Sequence, residues 1–96
     1  MKYSVGDLLL VKDCKYKYRS CLRTRPPHPW RRSDRRLGDY NRHELYNSYG
    51  IVTQAIKHSD AWEDESTNGD NVYVWFSQID GIEYYFYEDE VTGEII

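Results

Sequence analysis

Residues 72–91, VYVWFSQIDGIEYYFYEDEV, constrain the fold of this chain more than any other stretch. Val72, Val74 and Phe76 alternate with Tyr73, Trp75 and Ser77. Beyond Asp80-Gly81 the alternation resumes, with Ile82, Tyr84 and Phe86 set against Glu83, Tyr85 and Tyr87. A period of two on both sides of a turn predicts a β-hairpin. Asp-Gly suits the reversal, because Gly carries no Cβ penalty at positive φ and Asp tolerates the left-handed region. The aromatic and β-branched residues that fill the stretch fit a pleated surface better than a helical one.

The chain is long enough for one such core and no more. It has 96 residues, 40% of them apolar, which suffices for a single small domain. Ten are tyrosines, so amphipathic rings rather than Leu and Ile are expected to build the interior and one outer face. No apolar run approaches the roughly 20 residues that cross a bilayer. The start MKYSVGDLLLVKD lacks the apolar core and cleavage site of a secretory leader, so an intracellular chain without a membrane partner is expected. In a reducing compartment Cys14 and Cys21 are expected as free thiols.

The net charge of −3 conceals a division. Residues 1–57 carry all 13 Lys and Arg against five acids, and residues 58–96 carry the other 11 acids with no Lys or Arg. A basic and an acidic half in one small chain imply a polar partner, or a match between the two halves.

Along the chain, GDLLLVK reads as a first strand over residues 7–12, apolar on both faces. Residues 13–47 contrast with it. They hold ten of the 13 cations and all three prolines with almost no aliphatic side chains, a composition that cannot support its own packed core. They read as a basic arm inserted in the first loop. It opens on a short exposed edge strand, CKYKYRSCLR, and runs extended through Pro26, Pro27 and Pro29. Short helical turns are expected near 33–36 and within 40–46. YGIVTQAIK returns to strand composition over 49–57. Residues 58–71 form an acidic loop, Glu88-Asp89-Glu90 a tight 3₁₀ turn, and 91–96 a closing strand.

The order VGDLLLVKD, long loop, YGIVT, acidic loop, VYVWF…YYFYEDEV resembles the small SH3-like barrels. More narrowly, it resembles the short SH3-like proteins of tailed bacteriophages. The resemblance covers residues 4–12 and 49–96 and leaves out the arm. It implies a mainly β, five-stranded SH3-like barrel forming a single domain over 1–96. It also implies an interaction role within a virion, with the virion or the host cytoplasm as its location. The ALYDY-type start of eukaryotic signalling SH3 domains is absent, so their ligand residues are not carried over.

Four sets of residues bear on chemistry. Cys14, Cys21, His28 and His43 are candidate zinc ligands, but their spacing is not that of a zinc knuckle, and free thiols with solvent-facing histidines are the simpler reading. Asp64-x-Ser66-x-Asn68-Gly69-Asp70 imitates half a calcium loop, yet Trp75 stands where the bidentate Glu belongs. No metal or cofactor is therefore expected. Arg23, Arg25, Arg31, Arg32, Arg35 and Arg36, interleaved with Trp30 and Tyr40, offer fork geometry to carboxylates or phosphates. The carboxylates could belong to a partner, a second subunit or the chain's own acidic half. Tyr73, Trp75, Tyr85 and Tyr87 are placed on one hairpin face, where they form an exposed partner-binding patch or lie beneath the arm.

No G-x-S-x-G, Walker loop or H-E-x-x-H occurs, and no enzyme is expected. The leading expectation is a protein-protein interaction module, an accessory or decorating structural protein docking on capsid or tail proteins through the arm and the hairpin aromatics. Two alternatives stand beside it: a nucleic-acid binder using the same arm, and a phage effector that inhibits a host enzyme through the acidic half. Oligomeric state is not legible.

Overall fold

The computed structural model describes residues 1–15, 21–25, 43–57 and 71–96. Five strands, β1 (Leu8–Cys14), β2 (Ser48–Ile56), β3 (Val72–Ser77), β4 (Glu83–Tyr87) and β5 (Val91–Ile95), form one antiparallel sheet in the order β4-β3-β2-β1-β5. The mainly β class and the hairpin follow the sequence reading, and each strand lies within two residues of its expected place. A 3₁₀ turn, His43–Leu45, falls inside the window 40–46. Residues 88–90 make a single turn, closed by Glu90 N–H donating to the Tyr87 carbonyl at 3.0 Å, rather than a 3₁₀ helix. The middle of the expected edge strand CKYKYRSCLR, residues 16–20, the turn at 33–36 and all of the acidic loop but Asn71 fall outside the described residues; of the rest of that strand, Cys14 ends β1 and Arg23 bridges Tyr85.

The β3–β4 turn takes its shape from Asp80-Gly81. Gly81 has φ +70°, its N–H donates to the Ser77 carbonyl, and Ser77 N–H donates to the Ile82 carbonyl. Asp80 accepts from Ile82 N–H at 3.0 Å and from the Tyr84 hydroxyl at 2.5 Å. The register corrects the expected faces. Tyr73 opposes Phe86 and Trp75 opposes Tyr84, while Val72 opposes Tyr87 and Val74 opposes Tyr85. Directly opposed residues share a face, so the inner face is Tyr73, Trp75, Tyr84 and Phe86. Tyr85 and Tyr87 lie with the valines. Four residues separate the paired Ser77 and Ile82, which inverts the odd-even parity that alternation alone would carry across the turn.

The core is correspondingly aromatic. Tyr73, Trp75, Tyr84 and Phe86 are fully buried with Leu9, Val11, Val52 and Val91. Tyr3 meets Tyr73 edge-on at 5.0 Å between centroids, and Tyr73 meets Phe86 at 5.6 Å. Such pairs add to what area burial alone contributes. Trp75 lies across β2, where Gly50 leaves room, and its indole N–H donates to the Leu9 carbonyl on β1 at 3.1 Å. A Cβ on Gly50 would collide with the indole and lie 2.6 Å from the Phe76 carbonyl oxygen. This is why YGIV needs its glycine.

The sheet curls. Its outermost strands, β4 and β5, are joined only by residues 88–90, so the two edges must approach within the reach of one turn. Register shifts between Val11 and Asp13 in β1 and between Val52 and Gln54 in β2 supply local twist and bend. No β4–β5 ladder closes the sheet among the described residues. Instead the segment 21–25 lies on the free edge of β4, with Arg23 and Tyr85 exchanging backbone hydrogen bonds of 3.1 and 2.7 Å.

The described parts of 13–47 therefore do not stand apart as a limb. Cys21, Leu22 and Leu45, among the few apolar residues of that stretch, are fully buried in the core. Cys14 and Cys21 form a disulfide, with Cα atoms 5.7 Å apart, which corrects the expectation of free thiols. Antiparallel pairing of β1 with β5 and the return of the chain along β4 bring the two cysteines together, and seven residues of sequence separation are enough for that excursion.

Candidate functional site

Burial removes several expected partner-binding residues from the surface. Tyr73, Trp75 and Tyr87 are fully buried, and Tyr85 is half-buried beside Arg23. The aromatic hairpin patch is therefore not displayed: two of its members complete the core and the others lie on the opposite face. Arg23 is also buried. Its guanidinium donates to Glu90 Oε1 at 2.8 Å and Oε2 at 2.7 Å and to the Cys21 carbonyl at 3.1 Å, and it stacks 5.3 Å from the Tyr87 ring. The carboxylate it serves is the chain's own, so Arg23 is a fastener between the segment 21–25 and the turn before β5. Arg25 is exposed. Trp30, Arg31, Arg32, Arg35, Arg36 and the calcium-like loop 64–70 lie outside the described residues.

A zinc site built on Cys14 and Cys21 is excluded while the two are disulfide-bonded, because the metal needs thiolates. His28 lies outside the described residues, and His43 opens the 3₁₀ turn. Among the described residues no three His, Cys, Asp or Glu side chains converge on a metal position.

A second polar cluster fastens the start of the chain. The Tyr73 hydroxyl donates to Glu88 Oε1 at 2.5 Å and accepts from Lys2 N–H at 2.8 Å and Tyr3 N–H at 3.2 Å. Glu88 accepts further from Lys2 N–H at 2.6 Å and Asn71 Nδ2 at 3.1 Å. Burial, and then the hydrogen bond to Glu88, push the Tyr73 hydroxyl up to about 12. Burial would raise the Glu88 carboxyl, but the donors around it outweigh burial and hold it below its ordinary value. A phenol that remains protonated and a carboxylate that remains charged make a stable tether rather than a proton-transfer pair.

The surface that remains is the outer face of the sheet. Leu8 opposes Ile51, Ile51 opposes Phe76, and Phe76 opposes Glu83, so one row runs across β1, β2, β3 and β4. Ile96 N–H donates to the Leu8 carbonyl at 2.9 Å and extends the row. Beside it, Tyr49 opposes Leu10 and Leu10 opposes Glu94. Phe76 is 38% exposed, Tyr49 46% and Ile96 64%, and Leu8, Leu10 and Ile51 are half-buried. The result is an apolar strip with a carboxylate at either end, Glu83 and Glu94; the latter is paired with Lys12 at 3.0 Å in solvent.

No protein-family model, curated protein or solved structure matches the chain. What the strip can do follows from its chemistry. It holds no nucleophile or paired acid and base, only rings and branched alkyl groups between two exposed acids. Such a face can bury apolar area against another molecule. The sequence carried a signal for it. LLLV is apolar at every position, and in a strand whose alternate residues Leu9 and Val11 are buried, Leu8 and Leu10 must face outward.

Proposed function

We propose that the chain is a non-enzymatic interaction module with an SH3-like roll, acting as an accessory or decorating protein of a bacteriophage particle. The observation that carries the interaction role is the outer strip. Six apolar residues lie contiguous on this face and keep access to solvent, whereas Val72, Val74 and Tyr87 farther along it are fully buried, and exposed apolar groups gathered in one place mark an interaction surface. The SH3-like assignment is supported by the strand order, in which β1 lies between β2 and β5 and the meander β2-β3-β4 follows, with a long connection after β1 and a tight turn before β5. The Cys14–Cys21 disulfide suits an extracellular particle better than reducing cytoplasm. In this reading the arginines of the arm, the exposed Arg25 together with Arg31, Arg32, Arg35 and Arg36, pair with carboxylates of the assembly.

The test is cross-linking mass spectrometry on purified particles from cells producing the chain. Cross-links from residues flanking the strip or the arm to a capsid or tail protein are expected. Particles that lack the chain, together with retention of a generic oligonucleotide that disappears in Arg31→Ala/Arg32→Ala, would replace this reading with a nucleic-acid role.

A further inference from the structure

We propose that the Cys14–Cys21 disulfide is a redox latch: oxidised, it keeps the segment 21–25 shut over the free edge of β4, and its reduction lets that segment open by itself. The inference goes beyond the interaction-module reading and does not depend on it. It starts from what the segment covers. Ser77 N–H donates to the Ile82 carbonyl, so Tyr84 and Phe86 turn their backbone groups toward β3, while Glu83, Tyr85 and Tyr87 turn theirs to the outside. Tyr87 N–H donates to Glu90 Oε1 at 2.8 Å, within the turn that follows β4. Tyr85 exchanges its outward bonds with Arg23, so the segment 21–25 is what closes the middle of this edge.

The segment is held in place by the Arg23–Glu90 ion pair, by Cys21 N–H donating to the Tyr46 hydroxyl at 3.0 Å, and by the burial of Cys21 and Leu22. These ties are not covalent, and they can come undone while the sheet stays folded. The disulfide is different. It joins Cys21 to Cys14, where β1 ends beside Val91 of β5. A segment that opens with this bond intact remains tied to the sheet at its first residue and gains little freedom. Reduction removes the tether. For a sequence separation of seven, loop-closure entropy makes the opened form on the order of 50-fold more populated relative to the closed one.

The chemistry balances with a dithiol as reductant. Cys21 has no access to solvent and Cys14 is half-buried, so a thiolate of the dithiol attacks Cys14 Sγ. The bond between the two cysteines breaks, and Cys21 leaves as a thiolate that takes up a proton. The second thiol of the reductant attacks the mixed disulfide, closes its own disulfide and releases Cys14, which is protonated in turn. Two electrons and two protons pass from the dithiol to the chain. An uncovered edge is a template for strand pairing. Oxidation thus withholds the Tyr85 N–H and carbonyl, and reduction makes them intermittently available.

The experiment is amide hydrogen exchange by NMR on the full chain, oxidised and then reduced with dithiothreitol, at a series of low urea concentrations. The Arg23 and Tyr85 amides report the segment. Val52 N–H, which donates to the Asp7 carbonyl at 2.9 Å, and Ser77 N–H report the sheet. In the reduced chain the segment amides should exchange ahead of the sheet amides and with little dependence on urea, the mark of a local opening. Their exchange should be on the order of 50-fold faster than in the oxidised chain. Iodoacetamide should also alkylate the buried Cys21 of the reduced chain without urea, with Cys14 as the internal comparison. Segment amides that exchange in step with the sheet after reduction, or a Cys21 that resists alkylation until urea unfolds the chain, overturn the latch. A reduced chain that unfolds altogether overturns it too, because the bond then holds the whole fold rather than one segment. The module reading survives each of these results, since the particle cross-links decide it separately.

Discussion

Arg23 and Glu90 lie 67 residues apart in sequence and meet as a two-point ion pair, 2.8 and 2.7 Å, with almost no access to solvent. A buried pair of this kind is costly to break, because the surviving partner keeps its charge without compensation. Arg23→Met is expected to destabilise the fold by about 3–5 kcal/mol, read from the shift in urea midpoint. Arg23→Met/Glu90→Leu should recover most of that loss, since apolar replacement of the whole pair is often neutral. A single variant as stable as the parent would show that the pair does not hold the segment 21–25.

The Cys14–Cys21 disulfide fastens the same segment from its other side. Closing a loop with a sequence separation of seven removes unfolded-state entropy equivalent to about 2–3 kcal/mol. Reduction should lower the melting temperature by on the order of 10 °C for a chain of this size. Cys14→Ser/Cys21→Ser should melt at the temperature of the reduced parent and be insensitive to reductant. Identical melting with and without reductant would rule out the bond as a structural element.

Gly50 and Trp75 make a steric prediction. Gly50→Ala places a methyl group against the indole and the Phe76 carbonyl oxygen, where backbone cannot yield cheaply, so a loss near 3 kcal/mol, at the upper end of overpacking costs, is expected. In a Trp75→Leu background the indole clash is gone, and the added cost of Gly50→Ala should fall. A double-mutant cycle by chemical denaturation checks the coupling; purely additive effects would contradict it.

The cluster around Glu88 gives a pH dependence. Its carboxyl is held below the ordinary 4.5 in the fold, so below about pH 5 the unfolded chain binds more protons than the folded one. The stabilisation is present above 4.5 and is lost as pH falls through the lower folded value. Tyr73, raised from 10 to about 12, behaves oppositely: its contribution is full below pH 10 and is lost as pH climbs toward 12. Glu88→Gln should flatten the acid limb of a stability-against-pH curve. Tyrosinate absorbance should show late-titrating phenol, since burial raises Tyr3 as well, and part of that late absorbance should disappear in Tyr73→Phe. An acid limb unchanged in Glu88→Gln would assign that dependence to other carboxyls.

Much of the sheet was legible because its strands are short apolar and aromatic runs bounded by polar or turn residues, with period-two alternation clearest in the hairpin. β1, β2, β3 and β4 announce themselves through Leu8–Val11, Ile51–Ala55 and the two arms of the hairpin. The faces were not legible across the turn. Alternation fixes parity within a strand, but the number of residues in the turn sets it between strands, and Ser77 pairing with Ile82 across four residues moved Tyr85 and Tyr87 away from Tyr73 and Trp75. Arg23 was hidden for a related reason. Among many arginines in an aliphatic-poor stretch, nothing local distinguishes the one whose partner, Glu90, waits at the far end of the chain. The outer strip fell between these cases. Its residues were visible as strand residues, and only the sheet order reveals that Leu8, Ile51 and Phe76 stand side by side.

β1 sits between β2 and β5, so the first of the described strands to leave the ribosome is flanked on one side by the last of them. Leu9 and Val11 gain their second neighbour only when Val91–Ile95 has been translated. A chain stalled before that point would carry an open, oily edge at its own middle, and it would need shelter from its neighbours for the whole interval between the first strand and the last.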